Sequence, residues 1–147
     1  MTWAYRITFF LLLIGFWHTP ARAQDLNLAV IGNGKGVPPE MKLAQLRSTI
    51  KGEKLRWPDG SKVVIALLKT TTPIGQNTSK KIYNMSANEL NKYWLALVFQ
   101  GKADAPNFFN SENELADFVA QTTGAIGVVN QPAPGSKTIT IDGKKFL

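Results

Sequence analysis

Two short runs, residues 63–68 (VVIALL) and Ala125–Val129 (AIGVV), contain no polar side chain. A strand with one wet face alternates polar and apolar residues, so a strand without alternation must be covered on both faces. The chain must therefore supply helices for both sides of a sheet, and the intervening sequence does so. Met41, Leu43, Leu46 and Ile50 recur at helical spacing until Gly52. Ser86-Ala87-Asn88-Glu89 is a capping box ahead of Leu90, Tyr93, Trp94, Leu97 and Val98, with Gly101 as the stop. Ser111-Glu112-Asn113-Glu114 is a second box, with Leu115, Phe118 and Val119 expected to face inward before Gly124. Thr72-Pro73 reads as a hydroxyl N-cap followed by Pro at the first helical position. That helix would carry Ile74, Thr78, Ile82 and Met85, although Gly75 and Asn77 weaken it. Residues 26–31 (LNLAVI) predict a strand, and residues 137–141 (KTITI) alternate like an edge strand. Ala105-Pro106 opens a loop, and residues 131–136 form a Pro/Gly loop. The expectation is one α/β domain with a small, mostly parallel or mixed sheet flanked by helices.

The first 23 residues read differently. Arg6 precedes an uncharged run (ITFFLLLIGFW), Pro20 breaks it, and Ala21-Arg22-Ala23 supplies small residues at a peptidase site. These parts compose a cleavable secretory signal, cut before Gln24. The run is too short for a transmembrane anchor, which needs roughly 20 apolar residues. Residues 24–147 then form the exported domain. With no cysteine, the chain has no site for a lipid anchor, so a soluble periplasmic protein is expected.

Loss of Arg6 and Arg22 leaves 15 Lys and Arg against 10 Asp and Glu, a net charge of +5. The only histidine, His18, departs with the signal. Without His or Cys, no Ser-His-Asp or Cys-His nucleophile can form, and ordinary zinc and copper sites lack ligands. Glu112, Glu114 and Asp117 share the first turns of one helix, where carboxylates complement the dipole rather than form an acid/base pair. The reading is a non-enzyme without a cofactor. The lysines are scattered and do not interleave with aromatics, which argues against nucleic acid and favours solubility or diffuse attraction to anions.

Four segments, in order, resemble phosphate-type periplasmic substrate-binding proteins. Leu46-Arg47-Ser48-Thr49-Ile50-Lys51-Gly52 followed by Leu55-Arg56-Trp57-Pro58-Asp59-Gly60 is similar to that family's helix and turn. Val63-Val64-Ile65-Ala66-Leu67 is similar to the strand before its ligand loop. Met85-Ser86, Tyr93-Trp94 and Phe99-Gln100-Gly101 follow its next helix, and Thr123-Gly124-Ala125-Ile126-Gly127-Val128 its return strand. The resemblance implies a single lobe of the type II binding-protein fold, in the short form associated with phosphate ABC transporters. The matching residues also have plain structural roles, as turn, core and close-approach positions.

In that family, anions bind through backbone N–H groups and hydroxyls at helix N-termini, helped by Arg. The corresponding loop here holds Lys69, Thr70, Thr71, Thr72 and Gly75. It lacks the family's Arg and Ser-Gly-Thr, and Pro73 removes one donor. It reads either as half of an oxyanion site or as an ordinary helix cap. Asn33, Gly34 and Lys35, after the first strand, form either a small anion nest or a plain turn. A lone lobe offers only an open half-site, whereas ligands are normally buried in clefts. The chain would dimerise, be covered by a partner such as a membrane transporter or periplasmic protein, or serve as an interaction module without ligand capture.

Overall fold

The computed structural model describes residues 26–147, so the expected signal lies outside the described residues. Six strands form one sheet in the order β2-β6-β1-β5-β3-β4. They are β1 (Ala29–Gly32), β2 (Glu40–Met41), β3 (Val64–Leu68), β4 (Asn107–Phe109), β5 (Ala125–Val129) and β6 (Thr138–Ile141). β3 runs parallel to β4 and β5, and β2 runs parallel to β6. β1 is antiparallel to both its neighbours, β5 and β6. The sheet is therefore mixed.

The apolar runs are covered on both faces, as their lack of alternation required. Val30, Ile65, Leu67, Ile126 and Val128 join one core cluster with Leu46, Leu90, Trp94 and Tyr83. Ala29, Ile31, Ala66, Leu68 and Val129 join a second with Leu115, Ala116 and Val119. Helices α1 (Leu43–Ile50) and α3 (Ala87–Phe99) cover the first face, and α4 (Glu112–Gln121) covers the second. Gly127 lets α4 approach closely, since a Cβ there would lie 2.6 Å from Leu115 Cδ2. Full burial of a side chain such as Leu115 contributes about 1.5–3 kcal/mol.

Several local expectations shift. Met41 lies in β2 rather than on α1, because the chain pairs with β6 before it turns into helix. β1 begins at Ala29, leaving residues 26–28 outside it. The segment after Ala105-Pro106 becomes the short strand β4. β6 is no edge: it sits between β1 and β2. Its alternation comes from uneven cover of its faces, with Ile139 and Ile141 buried. Val98 of α3 is 42% exposed, because Leu90 and Trp94 make the buried stripe.

Helix α2 (Pro73–Thr78) starts at the predicted Thr72 cap and continues into a π-helical turn, Ser79–Tyr83. Asn84, in the left-handed region at φ 57°, ends that turn. It buries Ile82 and Tyr83 against the first face. The Tyr83 hydroxyl donates to the Ile50 carbonyl, and the Tyr93 hydroxyl donates to the Lys51 carbonyl at 2.7 Å. Two phenols thus satisfy carbonyls at the C-terminal end of α1, where the helix leaves acceptors unpaired. Burial raises the pKa of both phenols. Trp57 is buried, and its Nε1 donates to the Gly124 carbonyl at 2.8 Å.

Candidate functional site

Because β3, β4 and β5 run parallel, their C-terminal ends share one edge of the sheet. That edge is where open α/β sheets place ligands. The loop after β3 is pinned there by the Lys69 N–H, which donates to the Phe109 carbonyl at 3.0 Å. The Thr72 N–H and hydroxyl both donate to the Lys69 carbonyl, at 2.9 and 2.8 Å. The same hydroxyl accepts from the Gly75 N–H at 3.0 Å. Thr72 is fully committed to the cap. Gly75 is required by packing, since any Cβ would run into the Lys69 carbonyl. Thr70 shares weaker hydrogen bonds, at 3.3–3.4 Å, with Asn91 of α3.

Two side chains of the loop remain unengaged. The Lys69 ammonium and the Thr71 hydroxyl are exposed and hold no hydrogen bond or ion pair among the described residues. One cation and one hydroxyl at the end of a buried strand can attract and orient a small oxyanion. They cannot enclose it.

The same edge carries an anion of the protein's own. Glu112, in the first turn of α4, accepts from the N–H groups of Asn130 and Gln131 through Oε1. Those donors, freed as the chain leaves β5, are the kind a bound oxyanion would use, and a carboxylate already occupies them. Glu114 accepts from the Asn110 N–H at 3.2 Å instead of closing the second capping box on Ser111. Sequence reasoning assigned these carboxylates to the helix dipole. Their reach to residues 110, 130 and 131 depends on strand order, which local sequence does not carry.

The other predicted loop lies elsewhere. β1 is antiparallel to β5, with Gly32 opposite Ile126, so Asn33, Gly34 and Lys35 emerge at the opposite edge from Lys69. The two loops cannot share one ligand. Asn33 is 8% exposed, and its Nδ2 donates to the Val119 and Ala120 carbonyls at 2.8 and 2.9 Å. Its Oδ1 accepts from the Lys35 N–H at 2.8 Å. Asn33 therefore caps the C-terminal end of α4 and stabilises its own turn. Gly34 and Lys35 are exposed, and Gly34 lines a cavity of ≈ 260 Å³.

No protein-family model and no curated protein matches the chain. Solved structures do. An ABC-type phosphate transport receptor from Vibrio cholerae superposes with a TM-score of 0.65 at 14% identity, covering 83% of this chain and 49% of the receptor. A protein from Clostridium perfringens, described as a phosphate ABC transporter substrate-binding protein with bound phosphate, gives 0.60 at 12% identity, covering 81% and 46%. PstS from Borrelia burgdorferi gives 0.56 at 13% identity, covering 81% and 48%. The chain spans about half the length of each of these structures. By the extent of these superpositions, it has the fold of one lobe of a phosphate-type substrate-binding protein.

Proposed function

We propose that the chain is an exported, non-catalytic binding domain whose Lys69–Thr71 loop supplies half of a site for phosphate or a similar small oxyanion. The observation that carries this reading is the unengaged Lys69 ammonium and Thr71 hydroxyl at the sheet edge, in a fold whose solved neighbours are phosphate-binding proteins of ABC transport. The half-site needs a second surface, from another copy, a transporter or another periplasmic protein, because an open loop leaves an anion solvated. The reading places the protein in the periplasm. No helix among the described residues is long and apolar enough to cross a membrane.

Thermal unfolding of residues 24–147 with and without millimolar phosphate, with sulfate as control, tests this. A ligand bound only by the folded state adds about 2.7 kcal/mol at a hundredfold excess over Kd. A phosphate-specific rise in Tm that Lys69→Ala and Thr71→Ala both reduce is the expected result. Equal response to sulfate, or none, would overturn the reading for the isolated chain and turn attention to protein contacts.

A further inference from the structure

Helix α3 is apolar on more faces than its packing uses. Leu90 and Trp94 are buried, yet Leu95 is 59% exposed and Phe99 83% exposed. Asn91, Leu95 and Val98, at i, i+4 and i+7, lie along one stripe on the outer face. With Phe108 of β4 and Ala105 they line an apolar hollow of ≈ 250 Å³. Val98 and Ala105 also border a second groove of ≈ 460 Å³, which holds Leu55, Arg56, Lys62 and Lys102. The two hollows adjoin at these shared residues.

The charge along this path is uneven. Asp104 is engaged by Lys62 in an exposed ion pair. Arg56 spends one N–H group on the Gly60 carbonyl, and the Lys102 ammonium has no ion pair among the described residues. An apolar hollow therefore opens beside two uncompensated cations. Contiguous exposed apolar surface of this kind marks interaction sites, and its charged border selects the partner.

We propose that the outer face of α3, with the adjoining β4, docks an acidic segment of another protein. An apolar side chain of that segment seats against Leu95, Val98 and Phe108, and its carboxylates lie over Arg56 and Lys102. A second copy fits less well, because a two-fold contact on this face brings two borders of the same positive charge together. An anionic bilayer would meet the cations but leave the concave hollow unfilled. The inference does not depend on phosphate binding.

The test is a titration of the ¹⁵N-labelled mature chain with a short peptide alternating Glu and Leu, and with its counterpart alternating Lys and Leu. The acidic peptide alone should shift amides of α3, β4 and Leu55. Arg56→Glu with Lys102→Glu should reverse the peptide preference, and Val98→Asp should weaken acidic-peptide binding roughly tenfold or more. All three positions are exposed, and circular dichroism checks that the variants fold. Equal binding of both peptides, shifts elsewhere, self-association through this face in size-exclusion chromatography, or binding only to phosphatidylglycerol vesicles would each overturn the proposal. The phosphate melt, run on the same variants, separates this result from the oxyanion reading.

Discussion

Single residues decide how the loop after β3 is held. Gly75→Ala would drive a methyl group into the Lys69 carbonyl, and backbone cannot yield as a flexible side chain can. A loss of about 2 kcal/mol or more is expected, read as a lower urea midpoint. Thr72→Ala should cost about 1 kcal/mol, while Thr72→Ser should retain most of the cap. Tyr83→Phe leaves the Ile50 carbonyl without its phenol partner, at a cost of about 1–3 kcal/mol. The raised pKa values of Tyr83 and Tyr93 also fix a sign. The folded state holds these protons more tightly than the unfolded chain. Their contribution is complete below the unfolded phenol pKa of about 10 and is lost as pH rises beyond it. The urea midpoint should therefore fall steeply in that range, and less so in Tyr83→Phe.

At the scale of elements, the two serine caps differ. The Ser86 hydroxyl accepts from the Glu89 N–H at 3.2 Å, and the Glu89 carboxylate accepts in return from the Ser86 N–H at 2.7 Å. Hydrogen bonds from the Ser86 backbone, and then its side chain, lower the Glu89 pKa. That contribution is present above the unfolded carboxylate pKa and fades as pH falls through the folded one. Ser86→Ala should cost about 1 kcal/mol at neutral pH and less in acid, where the box is already weakened. The covered strands and the helix starts were legible because they are written in runs and spacings. β2 and β4 were not, because two or three residues carry no period. The position of β6 was hidden for another reason. Alternation reports which faces are covered, not which strands lie on either side.

For the whole molecule, strand direction sets the two candidate loops apart. Lys69, Thr70, Thr71, Thr72 and Gly75 were readable as a loop following a buried strand. That Asn33, Gly34 and Lys35 lie at the far edge follows from the antiparallel sense of β1, which no local residue encodes. Asn33→Ala should destabilise the domain by about 1–3 kcal/mol, because two α4 carbonyls, one buried and one half-buried, lose their donor. Any response to phosphate should survive it in the melting experiment, since Asn33 is remote from Lys69. The mixed sheet has one more consequence, for the order of assembly. β1 has no partner nearby in sequence: Ala29 aligns with Val129, and Val30 with Ile139. A chain threaded through a pore from its N-terminal end would deliver β1 long before either neighbour existed, leaving it extended and free to move. Such non-local closure makes folding slow, on the order of milliseconds to seconds. The delay would keep a translocating chain unfolded and let the sheet close only once the far strands have crossed.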